Sequence, residues 1–196
     1  MSLEFNRRSF LKYSAAAAVA VAGSSLLVGC GEDEYQKTGK IGSTLKLMGT
    51  FRMYDNPAPT FALDTGSTTN GTFTCKLNIK CTTKKVPLYV AAGCFQLTVI
   101  HDGKKTNYAD SGYVTVDKPN FKLAEKDDAE DFTITVKGNT SNPLNIVAGD
   151  KVEFMYWPRI QASSGNSGYT RAFCTWKMTA KAGTPSGICL LYTSPS

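Results

Sequence analysis

Histidine is the scarcest chemistry-bearing residue in this 196-residue chain, which has one, His101. A blue-copper centre takes two histidines, a cysteine and commonly an axial methionine, so that centre is excluded. A hydrolytic triad or a catalytic zinc site has little material to use. His101 stands beside the tight turn Asp102-Gly103 and reads as an exposed turn residue. No C-x-x-C-H offers haem attachment, and no C-x₂-C pair marks a zinc or iron–sulfur site. Helical periodicity is missing after Tyr13, and no apolar run reaches the about 20 residues needed to span about 30 Å of hydrocarbon. Basic charge is present, 22 Lys and Arg against 16 Asp and Glu, but it is scattered in pairs such as Lys84-Lys85 and Lys104-Lys105. A nucleic-acid binder concentrates such charge on one face, so nucleic acid is not an expected partner. The acidic stretch "EKDDAED" (Glu125, Asp127, Asp128, Glu130, Asp131) lacks the glycine at position six of a calcium loop and reads as a solvated loop. No catalytic residue, metal or cofactor is expected, and the chain reads as a non-enzyme.

What is present begins with an address. "NRRSFLK" carries Arg7, Arg8, Phe10, Leu11 and Lys12 ahead of Ala15–Val28, an uncharged stretch of fourteen residues, mostly Ala, Val, Gly and Ser. Basic leader and short apolar segment describe an export signal rather than a membrane span. The motif resembles the twin-arginine export consensus at every position except the first, where Asn6 stands. "LVGC" then resembles the lipobox of bacterial lipoproteins. That resemblance implies a diacylglycerol on Cys30, cleavage just before it, and a signal peptide of residues 1–29. Two acyl chains hold a protein stably on a membrane, whereas one is marginal. The implied location is the outer face of the cytoplasmic membrane, or a periplasmic or outer-membrane leaflet in a two-membrane host. Residues 30–42 include the polar run "GEDEYQKTGKIG" and read as a flexible tether. A coil of about 12 residues spans roughly 20 Å, which barely clears the headgroups.

Removal of the leader takes away Arg7, Arg8, Lys12 and Glu4 and leaves 167 residues with a net charge of +4. That length suits one domain, assigned to residues 43–196. Its pattern has period two. In "TFTCKLNIKCT", Phe73, Cys75, Leu77, Ile79 and Cys81 alternate with polar neighbours, as a half-buried strand requires. "FQLTVI" places Phe95, Leu97 and Val99 inward and runs into Asp102-Gly103, a strong hairpin signal. "TLKLM", "YVTV", "FTITVKG", "KVEFMYW", "AFCTWKMT" and "ICLLYT" supply further strands, punctuated by Gly, Pro, Asn and Ser clusters. "FKLAEKDDAED" has room for one or two helical turns. Eight or nine strands at this spacing predict an all-β, antiparallel, immunoglobulin-like sandwich with Trp157 and Trp176 as the largest core candidates.

A further set of positions comprises Gly42 with Thr44, Thr82-Thr83, Phe95 with Leu97, Asp102-Gly103-Lys104 with Tyr108, and Gly149-Asp150 with Phe154. Together they resemble the telokin-like, immunoglobulin-like extracellular domain of many Gram-positive lipoproteins. The resemblance implies a sandwich and a surface lipoprotein, and it implies no activity.

Five cysteines remain after Cys30: Cys75, Cys81, Cys94, Cys174 and Cys189. Cys75 and Cys81 share a strand face about 20 Å apart, too far for a bridge that needs Cα atoms within about 7 Å. Cys174 can approach Cys189 across the last hairpin. Buried thiols acting as small hydrophobes and disulfides formed after export stand as alternatives. The aromatics Tyr156, Trp157, Tyr169, Phe173 and Trp176 offer a ligand platform if some face outward. The expected function is a lipid-anchored surface protein that binds or scaffolds an extracellular protein or a cell-wall polymer. A redox-active thiol protein using Cys94 or a C-terminal cysteine is one alternative. A glycan or wall-polymer binder is the other.

Overall fold

The computed structural model describes residues 35–82, 87–161, 167–169, 172–182 and 188–191. The signal residues Arg7, Arg8, Phe10 and Leu11, the lipid-site candidate Cys30 and the pair Lys84-Lys85 lie outside the described residues.

The described chain is a β-sandwich. Its first layer is built on β5 (Gly71–Cys81), the longest strand, whose burial alternates without a break. One edge of β5 pairs with β11 (Ala129–Lys137), which in turn pairs with β9 (Val114–Val116). The other edge is shared end to end by β3 (Gly49–Met53) and β4 (Thr60–Leu63), with β2 (Thr44–Lys46) flanking β3. "DNPAP" separates β3 from β4, where proline cannot donate to a ladder and Asn56-Pro57 is cis.

The second layer runs β8 (Lys104–Ala109), β7 (Phe95–His101), β12 (Lys151–Tyr156) and β15 (Phe173–Ala182), all antiparallel. The free edge of β15 is shared by β16 (Ile188–Leu191) and β1 (Gln36–Gly39), and β1 lies parallel to it. A pairing of β16 with β4 links the two layers at one corner. The layers hold five strand positions each, β2, β3 with β4, β5, β11 and β9 against β8, β7, β12, β15 and β16 with β1, the two-sheet packing of a β-sandwich. A small second sheet caps one end: β10 (Phe121–Leu123), β6 (Leu88–Val90), β13 (Arg159–Gln161) and β14 (Ser167–Tyr169). A single 3₁₀ turn, Ala92–Cys94, leads into β7.

The core lies between the layers. Phe51 meets Tyr156 edge-on with ring centroids 5.0 Å apart, and Phe73 stacks on Phe154 at 5.7 Å. Phe95 stacks on both Phe154 and Tyr156, and Trp176 is fully buried beside Phe154. Such pairs contribute about 0.5–1.5 kcal/mol each beyond their buried area.

The expected inward residues of β5 and β7 are all buried, as are Trp157 and Trp176. Asp102 and Gly103 both have positive φ, 46° and 79°, as the predicted hairpin turn demands. Three features differ from the sequence expectation. Sixteen strands are present among the described residues instead of eight or nine, and one pair is parallel. Many of the added strands have three or four residues, too few for a period-two signal. Residues 36–39, expected in a flexible tether, form β1, because their backbone hydrogen-bonds the open edge of β15. "FKLAEKDDAED" holds no helix; it forms β10, a turn with Asp127 at φ 72°, and the start of β11. Positive φ at that position is incompatible with a right-handed helix.

Candidate functional site

The even-numbered residues of β5 face away from the core, and register assembles them into rows with their neighbours. One row runs Thr44, Arg52, Asn78, Asp131 across β2, β3, β5 and β11. The next runs Lys46, Thr50, Lys80. Tyr54, just past β3, lies over this face; its backbone N–H donates to the carbonyl of Lys76.

Asp131 organises the charge. Its Oδ1 accepts from the Tyr54 hydroxyl at 2.9 Å and from Asn78 Nδ2 at 2.8 Å, and its Oδ2 lies 3.0 Å from Lys76 Nζ. Burial pushes the Asp131 carboxyl up, but hydrogen bonds from Asn78, Lys76 and Tyr54 outweigh it and hold it below the usual value. The same carboxylate raises Tyr54, mainly through their hydrogen bond, and raises Lys76. Arg52 and Lys76 sit 5.5 and 5.1 Å from the centre of the Tyr54 ring, within cation–π range.

Beside this cluster a pocket of about 330 Å³ opens on the sheet, lined by Thr44, Thr50, Arg52, Tyr54 and Asn78. Arg52 Nη2 donates to Asp55 Oδ1 at 3.2 Å. Asp55 can fold back there because Gly42, at φ 82°, has no side chain; a Cβ would stand 2.7 Å from Asp55 Oδ2. The pocket therefore holds a guanidinium with one of its five donors engaged, two threonine hydroxyls and an amide, all at a solvent-facing surface.

The sequence candidates fare differently. His101 Nδ1 lies 2.7 Å from Asp150 Oδ1, and its Nε2 lies 3.4 Å from Asp102 Oδ2. The hydrogen bond to Asp150 raises its pKa. With both nitrogens turned to carboxylates, the imidazole is set to join the β7–β8 hairpin to the loop before β12. Asp150 is 5% exposed and also accepts the N–H of Val147, a partnership the isolated turn signal did not reveal.

The acids of "EKDDAED" diverge. Asp127 pairs with Lys80 at 2.7 Å, Glu130 with Lys118, and Asp131 with Lys76, while Asp128 caps the backbone N–H groups of Ala124 and Glu125. Among the described residues no group of three or more His, Cys, Asp or Glu is placed to hold a metal ion.

Cys75, Cys81, Cys94 and Cys174 are all buried. Burial pushes the Cys174 thiol up to about 12 and Cys75 well above its ordinary value. Cys174 stands in register with Tyr156 and Lys37, whereas Cys189 stands opposite Lys181 and Thr60. Seven residues of strand separate those positions, about 23 Å, so the expected approach of Cys174 to Cys189 is not met. The side chain of Cys189 lies outside the described residues.

The aromatic platform is also revised. Tyr156 and Trp176 are fully buried and Trp157 nearly so, and the side chain of Tyr169 is outside the described residues. The platform candidate Phe173 is partly exposed, as are Tyr113 and Phe121, and Tyr35 is 50% exposed; partly exposed too, and on polar surface, are Tyr54 and Tyr89. Tyr89 donates to Asn120 Oδ1 at 2.7 Å under the Arg159 guanidinium, 5.2 Å from its ring centre. Sequence reasoning missed both. A tyrosine followed by "DNP" at a strand end was the available signal for Tyr54, and Leu-Tyr-Val alternation was the signal for Tyr89.

No curated protein matches the chain. Residues 4–24 match the family model of the TAT (twin-arginine translocation) pathway signal sequence. The chain thus carries a twin-arginine signal ahead of an all-β domain and is an exported protein.

Proposed function

We propose that the protein is lipid-anchored through Cys30 and acts without catalysis, its sandwich binding or scaffolding a component outside the cytoplasmic membrane. The observation that carries the reading is the pairing of a twin-arginine signal with "LVGC" at its end, ahead of a domain whose polar sheet face holds unused hydrogen-bonding groups. The lipobox supplies the thiol to be acylated, and the likeness of several segments to telokin-like lipoprotein domains supports a place at the cell surface. A redox role is disfavoured for the described cysteines, since a reactive thiol needs exposure and a lowered pKa, and these are buried. A glycan or wall-polymer role is favoured by the Tyr54–Arg52 pocket, whose lining is hydroxyl, amide and guanidinium.

Detergent phase partition of the full-length protein recovered from an exporting bacterial host tests the anchor. The wild type should enter the detergent phase, and Cys30→Ser should stay aqueous. Equal partition of both would refute lipid attachment. Co-sedimentation with isolated cell envelopes tests the binding role, and recovery no greater than for an unrelated protein of similar charge would refute it.

A further inference from the structure

We infer that the pocket on the outer face of the first layer is a site for an anionic, hydroxyl-rich unit of an envelope polymer, with Arg52 as its charged anchor. The inference rests on the binding role proposed above and assigns it a place and a ligand chemistry.

Charge is the first argument. Lys46 and Lys80 flank Thr50 in register, and Arg52 stands two residues along β3, about 7 Å away on the same face. Arg52 lines the opening, and Lys46 and Lys80 lie in the neighbouring row of the same face. Their neutralisation is incomplete: Lys46 has no carboxylate partner among the described residues, Lys80 pairs with Asp127, and Arg52 pairs with Asp55. Those two aspartates are 60% and 59% exposed, so the pairs are weak surface contacts that an incoming anion can replace. The other local carboxylate, Asp131, is already held by Tyr54, Asn78 and Lys76, which limits its repulsion of an anion.

Hydrogen bonding is the second. Thr44 and Thr50 bring hydroxyls that both donate and accept. Asn78 spends its Nδ2 on Asp131 and keeps its carbonyl oxygen for a ligand hydroxyl. Arg52 Nε is shielded from water with no hydrogen-bond partner, an arrangement that costs free energy until an acceptor reaches it. The guanidinium fork suits a carboxylate or phosphate held by two parallel bonds.

Size is the third. A volume of about 330 Å³ lies at the bottom of the about 300–1,000 Å³ range of small-molecule sites, which fits one saccharide or polyol unit. Uronates and polyol phosphates share the required chemistry.

Isothermal titration of the detergent-solubilised full-length protein tests this with three probes: tetragalacturonate, a glycerol phosphate tetramer and chitotetraose. At least one acidic probe should bind, more weakly as salt rises, and chitotetraose should bind less tightly. The acidic probe that binds identifies carboxylate or phosphate. Arg52→Gln should weaken binding about tenfold with unchanged melting temperature. Arg52→Lys should lose less, and Lys105→Gln on β8 of the other layer should change nothing. Acidic probes binding no tighter than chitotetraose would overturn the inference, as would equal binding by Arg52→Gln and Lys105→Gln. Envelope co-sedimentation that survives Arg52→Gln would move the site elsewhere while leaving the binding role intact.

Discussion

The two outward sheet faces use similar residues to different ends. On the second layer the polar groups satisfy one another. Thr98 donates to Asn107 and accepts from Gln96, Lys151 donates to Thr179, and Lys177 pairs with Glu153. On the first layer Asp131 gathers three partners at one side, which leaves Thr44, Thr50 and most of Arg52 uncommitted beside it. A sheet face that closes its own hydrogen bonds offers a ligand little. One whose carboxylates leave Thr44, Thr50 and most of Arg52 unclaimed keeps donors in reach of solvent.

The contrast can be broken at several depths. The largest effect should come from beneath both faces: Phe154→Ala removes a ring that packs on Phe73 and Phe95 and should cost about 3–5 kcal/mol in urea unfolding. Asp131→Ala strands Asn78 and Tyr54 without an acceptor. It should cost about 1–2 kcal/mol, a figure reduced for partial exposure. Thr98→Val in the self-paired face, where Thr98 is 7% exposed, should cost about 1 kcal/mol by the same measurement.

pH sharpens the comparison further. The carboxyl of Asp131 is lowered, so its contribution is present above its ordinary pKa of about 3.9 and lost as pH falls through the folded value below that. Asp131→Ala should therefore flatten the acid limb of a stability profile. His101 is raised by Asp150, so its contribution is complete below about pH 6.5 and lost as pH rises through the folded value above that. His101→Gln should remove this small alkaline decline, read as a shift in urea midpoint between pH 6 and pH 9.

Much of this was legible in the sequence where one strand carried the signal alone. The eleven residues of β5 alternate so regularly that their inward set follows from spacing. Asp102-Gly103 announced its hairpin because few residue pairs tolerate positive φ in succession. The three- and four-residue strands gave no such signal. β1 exists because β15 presents an edge, a fact of tertiary structure alone. The pocket was illegible for the same reason. Tyr54 and Asp131 are 77 positions apart, and Asn78 and Asp131 are 53 apart, brought together by register. Within "EKDDAED" the five acids look alike, yet strand pairing sends Asp131 to Tyr54 and Asp127 to Lys80.

An amide NMR titration of the protein with tetragalacturonate or the glycerol phosphate tetramer, whichever binds, puts the difference between the faces to the most direct test. Shifts gathered at residues 44–54 and 76–80, and absent from 96–107 and 151–179, are the predicted result. Shifts gathered on the second layer, or spread evenly over both, would contradict it.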